Sequence, residues 1–425
     1  MAVLTKNTSL EDAGGQGESI WTRDFTLACI VSLCTSMVFQ FLLPSLPLYI
    51  KTINGHETEI GVSLAVFSMA ALASRMVAGR ALDIVGRKLP LVIGTLIFFA
   101  ACPFYLVTAA IVPFMLVRLF HGLGFGIVHT GASALAADLA PERRRGEALG
   151  YYANANSIAM AIGPAVAVTL MSVQGLPLNG FQLVFVACIL LAAVEFASAM
   201  SIRTKKIPAT ITSAGKTNWN ISSFFCPAAV PVALAVMFGV FATGAVNSFV
   251  PIYFAGTSTQ IIPIFFLVIA IVMTVTRPFV GRLSDRIERR KLVIPLFALS
   301  GIGVAILAVS PTLPVAIGVA VIYGIGFGSL TPMLIAIVVD RVNPGERGTA
   351  LATFMAAMDI GISLGSVVGG MVAQSFGLPA VFLMAGGSCA FGIVYFLSVY
   401  GKMGPVATQL DEAKPQTPRA AASTP

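Results

Sequence analysis

Asp359 stands in the apolar run "LATFMAAMDIGISLGSVVGG", about ten residues past Thr349. At 1.5 Å per helical residue that is ~15 Å deep, the centre of a bilayer. A carboxylate so placed can take and release a proton as water reaches it from one side and then the other. Arg118, in "VRLFHG", lies several residues inside another apolar run, where a guanidinium needs a carboxylate partner or a watery cavity. His129, eleven residues on, projects within about 20° of Arg118 on a helix, and His121 lies one turn away. Arg118 is therefore a candidate for holding an anionic ligand or for tuning a nearby acid. Glu195, about seven residues from the end of its run, is a second candidate for proton coupling, or an acid long enough to reach the interface. Gln40, Asn154, Asn156 and Asn247 offer neutral polar groups to a substrate cavity. The plainer alternative is a hydrogen bond or ion pair between packed helices and, for the histidines, a neutral buried ring with one partner.

The elements that must position these residues follow from composition. With 57% hydrophobic and only 10% charged residues, the chain lies far from the globular norm of about 25% charged and reads as an all-α polytopic membrane protein. Apolar segments long enough to cross a bilayer fall at roughly 25–50, 59–79, 89–109, 112–137, 147–171 and 181–201, and again at 226–253, 261–281, 292–310, 313–338, 349–374 and 378–400. Twelve transmembrane helices in two six-helix bundles, 25–201 and 226–400, are expected, joined by a polar linker at 202–225. Basic clusters at Arg80/Arg87/Lys88, Arg143/Arg144/Arg145, Arg203/Lys205/Lys206, Arg282 to Lys291 and Arg341/Arg347 occupy alternate loops, which assigns those loops, the linker and both termini to the cytoplasm. The tail at 1–24 contains no signal-peptide pattern, and the tail at 401–425, rich in Pro, Ala, Thr and Ser, reads as disordered.

Other classes are set aside on the same grounds. The net charge of +8 is spent between spans, with no basic stripe bearing aromatics, so no nucleic-acid partner is expected. The six cysteines form no CxxC or Cys/His cluster and read as packing residues, with no metal site. The glycine runs "GLGFG" and "GIGFG" sit inside spans without the strand-turn-helix setting of a nucleotide loop. No Walker sequence occurs, so no cofactor or direct ATP drive is expected.

The two halves repeat. "GRALDIVGRK" from Gly79 returns as "GRLSDRIERR" from Gly281, 202 positions later, and "GLGFG" at Gly122 returns as "GIGFG" at Gly324. Asp138 returns as Asp340, Gly146 as Gly348 and Gly163 as Gly365. An even number of spans inserts both halves in the same orientation, the parallel repeat of a two-bundle transporter with its cavity between the halves. Gly79 permits close backbone approach, Asp83 can accept from a neighbouring helix N-terminus, and Arg87 and Lys88 can hold carboxylates or lipid headgroups. Arg75 and Arg277, one turn earlier, read as snorkelling or capping helix carbonyls, and Asp138 and Asp340 as partners of "ERRRG" and "GERG".

From residue 25 to 400 the chain resembles the major facilitator superfamily. Its loop signature Gly-x-x-x-Asp-x-x-Gly-Arg-Lys/Arg is complete as Gly79, Asp83, Gly86, Arg87 and Lys88; the second copy keeps Gly281, Asp285, Arg289 and Arg290 but has Glu288 in place of glycine. The resemblance implies that both copies form a cytoplasmic gate. Arg118 and Gly122 resemble the Arg-x-x-x-Gly signature of proton-coupled members. Gly163 and Pro164 resemble the Gly-Pro core of the antiporter signature, with Ala159 and Ala167 replacing its flanking glycines. "GISLGSVVGG" supplies Gly361, Gly365, Gly369 and Gly370, with Ser366 where proline belongs. Small residues four apart also serve close helix packing. The resemblance implies a monomeric proton-coupled exporter of a small organic molecule in a cell membrane, such as the bacterial inner membrane, exchanging substrate for protons by alternating access. An uptake symporter or uniporter of the same fold is the alternative, and a membrane enzyme or non-transporting sensor the alternative of another class. The first span offers Thr35, Ser36 and Gln40 but no acid, which favours neutral or anionic amphiphiles over cations.

Overall fold

Hydrocarbon offers no hydrogen-bond partners, so a spanning segment must satisfy its own backbone, and a helix does so within a single segment. The structure, a computed structural model, describes residues 19–141, 144–175, 177–203, 226–284, 286–342 and 346–400, the side chain of Asp83 excepted. The readings of tail residues 1–18 and 401–425, of linker residues 204–225 and of the Asp83 and Asp285 side chains lie outside the described residues. The first half comprises α1 (Arg23–Thr52), α2 (Glu57–Ile84), α3 (Lys88–Ala101), α4 (Phe104–Val107), α5 (Ile111–Leu139), α6 (Arg145–Ser172) and α7 (Gly180–Ser201). The second comprises α8 (Val230–Ala255), α9 (Ile261–Ser284), α10 (Arg289–Ile306), α11 (Leu313–Arg341), α12 (Arg347–Phe376) and α13 (Leu378–Tyr400), and no strand occurs among the described residues.

The one-turn α4 continues α3 past Pro103, so the helices make twelve passes in two six-helix bundles. Eleven are long and apolar enough to cross a membrane; the twelfth, α10, has 18 residues and spends its first three on Arg289, Arg290 and Lys291. Helix starts are fixed by local chemistry. Thr22 Oγ1 accepts from the Phe25 amide at 3.3 Å, and Asn179 and Gln182 cap each other's amides at 2.9 Å each.

Alternation of direction gathers the basic clusters at one end of the bundles, here the basic end. The other, the far end, carries the Lys51–Glu57 pair at 2.5 Å. In the first bundle α1 packs on α5, α6 and α7, and α5 on α2 and α3; in the second α8 packs on α12 and α13, and α11 on α9 and α10. The halves meet chiefly along α2 and α12, and less extensively along α6 and α9.

Close approach depends on glycine at a few places. A side chain at Gly365 would run into the Phe241 backbone of α8, and one at Gly61 into the Ser366 carbonyl of α12. At Gly370 a Cβ would stand 2.7 Å from the Glu57 carbonyl of α2, at Gly361 2.6 Å from Val240, at Gly369 2.8 Å from Phe249 and at Gly163 2.5 Å from Gln40. Pro164 is buried inside α6. Gly79 and Gly281 correct the expectation of close approach, since a Cβ at either would meet nothing within 4 Å. Gly86 takes a left-handed φ of 86°, which lets α2 turn into α3; Glu288, at the matching place in the second copy, has φ −50° and is not left-handed.

Gly365→Ala forces backbone apart and is expected to cost about 1–3 kcal/mol. Gly79→Ala, with open space and better helix propensity, should be neutral or stabilising by up to about 1 kcal/mol. Unfolding of the detergent-solubilised protein compares the two.

Candidate functional site between the two bundles

Two of the described charge pairs at the basic end follow the repeat. Arg87 Nε donates to Asp138 Oδ2 at 2.7 Å between the start of α3 and the end of α5, and Arg289 pairs with Asp340 at the symmetry-related place. The partners of Asp138 and Asp340 are thus the arginines of the repeated loops, which corrects the assignment to "ERRRG" and "GERG". Arg290 and Arg341 stack over the Tyr400 ring, 5.4 and 4.5 Å from its centroid, and tie α10 and α11 to the end of α13. Lys88 is half-buried at the first position of α3.

Between the halves, the ion pair of Arg75 and Asp359 crosses from α2 to α12, Nη1 to Oδ2, at 2.6 Å. Arg75 therefore neither snorkels nor caps a carbonyl, because a carboxylate is within reach across the bundle interface. Asp359 lies twelve residues past Arg347, ~18 Å along the helix, and its side chain remains 12% exposed. The related Arg277 finds no acid opposite it, since the repeat puts Ser157 where Asp359 stands in the other half. It donates to the Gly328 carbonyl of α11 at 3.1 Å. That carbonyl is in mid-helix and is free to accept a second bond.

Toward the far end a polar seam joins three helices. Ser366 Oγ of α12 donates to the Gly61 carbonyl of α2 at 2.7 Å and lies 2.7 Å from Ser248 Oγ of α8, while Thr58 and Gln374 bond nearer the rim. Ser366, standing where a proline was looked for, supplies the hydroxyl that a proline lacks.

Beside this seam, a narrow recess of about 30 Å³, room for a water or two, lies between α1, α2, α5 and α8, with Arg118 and Asn247 in its wall. Arg118 is only 4% exposed; its Nε donates to the Ser63 carbonyl at 3.3 Å and its guanidinium lies 4.2 Å over the Phe67 ring. Of the other expected cavity residues, His121 is fully buried away from the recess, 4.3 Å from the Phe98 ring and bonded through Nδ1 to Tyr105 Oη at 3.1 Å. His129 is exposed one turn past Phe125, near enough to Arg75 to feel its charge. Gln40 is buried against Gly163 within the first bundle, and Asn154 and Asn156 are exposed nearer the basic end of α6. Glu195 cannot reach the interface, as it is fully buried on α7 with neither carboxyl oxygen bonded. Sequence reading missed Ser63, Ser248 and Ser366; their only signal is a hydroxyl among small or apolar neighbours, shared with many serines in helices.

Charge pairs repeated at one end, a polar seam toward the other and a recess between two related halves define a membrane transporter of parallel-repeat design rather than an enzyme. The chain belongs to the major facilitator superfamily, whose profile matches residues 28–287 and 232–423. It is 23% identical over 391 residues to an uncharacterized MFS-type transporter of Methanocaldococcus jannaschii, covering 89% of this chain and 97% of the relative. It is 25% identical over 397 residues to the multidrug resistance protein MdtG of Escherichia coli, covering 88% and 94%. The fold is that of the nucleoside transporter NupG, with a TM-score of 0.71 at 16% identity, covering 89% of this chain and 99% of that one.

Ser366→Ala removes both seam bonds and leaves the Ser248 hydroxyl without that partner. The variant should lose about 1–3 kcal/mol of stability. Backbone amides at the start of α2 should also exchange faster with deuterated solvent, while those of α10 stay unchanged.

Proposed function

We propose that the protein exports a small organic molecule by alternating access, with inward proton flow through Asp359 as the driving force. The observation that carries this reading is the Arg75–Asp359 pair between α2 and α12, with Gly61 and Gly370 packed on one side of it along the helices and Gly79 open on the other. On its far side the two helices touch through Gly61, Ser366 and Gly370; on its basic side Gly79 faces open space. We read this as a state closed at the far end and more open at the basic end, and the positive-inside rule supports a cytoplasmic basic end. The membrane is accordingly a cell membrane, as in a bacterial inner membrane.

Protonating Asp359 removes its charge and leaves Arg75 without an ionic partner, which weakens the tie between bundles and favours the alternative state. The Asp359 side chain keeps 12% exposure, through which a proton can reach it. Glu195, sealed in the first bundle, has no comparable access and serves as the control. Arg87, Asp138 and their counterparts act on the gate, with Gly79 and Gly281 leaving room for closure. The export direction is supported by likeness to MdtG, named a multidrug resistance protein, over 88% of the chain, and by Gly163-Pro164 in α6. Likeness in fold to NupG, titled a nucleoside transporter, keeps uptake as the second reading. The protein works as a monomer, its substrate passing between its own two bundles.

Inverted vesicles with an acidic interior, screened with amphiphilic drugs and metabolites, should accumulate substrate when they contain the wild-type chain. Asp359→Asn should lose this uphill accumulation yet keep downhill exchange, while Glu195→Gln keeps both. An Asn variant pumping at the wild-type rate would remove Asp359 from the mechanism, and accumulation confined to right-side-out vesicles would make the protein an importer.

A further inference from the structure

Arg75 is only half answered by Asp359. Its Nη1 donates to the carboxylate, but its Nε is buried with no acceptor among the described residues. A sealed donor without a partner is disfavoured inside a membrane, so the guanidinium has an unmet bond in this arrangement. The packing of α2 on α5 shows what lies opposite it. Gly122 is pressed on Phe67 and Ala70, and Gly126, one turn on, is pressed on Ala71 and Ser74. The two helices run side by side in one direction, so the next turn of α5 brings His129 to the level of Arg75. His129 is exposed there and within reach of the Arg75 charge.

The second bundle shows how such an arginine is held when no acid stands opposite. Arg277 Nε donates to the Gly328 carbonyl at 3.1 Å, and Pro332, four residues on in α11, brings no amide to that carbonyl and leaves it open to the guanidinium. The repeat puts Gly126 where Gly328 stands and Thr130 where Pro332 stands. Thr130 supplies the helical amide, and its Oγ1 also donates to the Gly126 carbonyl at 2.8 Å, so the backbone acceptor that serves Arg277 is already filled for Arg75. The strongest acceptor left to α5 at this level is the ring nitrogen of His129 that bears no proton in the neutral side chain.

Resting on the proton-coupling reading, we infer that His129 is the second station of Arg75: when Asp359 takes a proton, Arg75 Nε–H bonds the unprotonated His129 ring nitrogen. His129 is then a positioning residue for transport. It keeps the guanidinium compensated within the first bundle, with no carboxylate from α12, and so frees the bundles to move apart at this point. The proton stays on Asp359 throughout, because the histidine accepts a hydrogen bond and takes up no proton.

The chain has three histidines, His56, His121 and His129, so solid-state NMR of the full chain in lipid, with isotope-labelled histidine and arginine, can assign the His129 ring by its loss in His129→Gln. Asp359→Asn stands in for the protonated acid. At about pH 8, where an ordinary histidine is neutral, the unprotonated His129 nitrogen should move upfield in this variant and receive magnetisation from the Arg75 guanidinium, which the wild type should not show. Asp359→Leu, with no acceptor at all, should complete the change and serves where Asn itself retains the arginine. Both effects should vanish when Arg75→Gln is added. Equal transfer in the wild type, no transfer in either Asp359 variant, or a shift that survives Arg75→Gln would each overturn the inference. The measurement needs no substrate or gradient. Transfer with undiminished uphill pumping by Asp359→Asn counts against the coupling reading alone, and lost pumping without transfer counts against this one alone.

Discussion

A charge inside a bilayer must be met by another charge, by water or by fixed dipoles, and the working parts of this protein are the different ways its intramembrane charges are met. Arg75 and Asp359 meet each other across the two bundles, Arg277 meets a helix carbonyl within one bundle, and Arg118 meets a carbonyl and a ring. Glu195 meets none among the described residues. A pair that joins two bodies can be broken only by moving the bodies or changing the charge, whereas a contact within one bundle travels with it. Of these side chains, the Arg75–Asp359 pair alone therefore ties ionisation to the relative position of the halves.

That tie has no duplicate in the other interface. The repeat conserves the arginines, 75 and 277, and the basic-end pairs Arg87–Asp138 and Arg289–Asp340, but it replaces the acid by Ser157. The α2–α12 interface accordingly has an ionic link that α6–α9 lacks, and it is also the more extensive. In the proposed mechanism a single titratable link keeps the proton count low: one protonation changes the balance between arrangements, and the pseudo-symmetric interface adapts without a charge to neutralise.

The architecture was legible because hydrophobic length and loop charge act locally: twelve runs and alternate basic loops give the passes and their order without any tertiary information. Asp359 and Arg118 could be singled out because an ionised group in an apolar run is costly wherever it points. Their partners could not. Arg75 is 284 positions from Asp359, and nothing local distinguishes an arginine that crosses to another bundle from one that snorkels. His121 shows the converse limit: helical spacing put it near Arg118, and that charge does reach it, but the ring packs among Phe67, Phe98 and Tyr105 and not in the recess wall. Glycines were recognisable as packing residues, yet which were in contact depended on the arrangement of the bundles.

That dependence carries the mechanical argument furthest. Gly61 and Gly370 are in backbone contact near the far end of α2 and α12, while Gly79, on the same helix α2 beyond Arg75, faces empty space. Two nearly rigid helices crossing at one point cannot close at both ends together, because closing one end about the crossing parts the other. The ion pair lies between the packed and the open glycines, and in the proposed mechanism a change in its attraction alters the preference between closures. In the proposed mechanism, glycine at position 79 has its use in the opposite closure, where the two helices would approach at the basic end and a side chain would stand in the way.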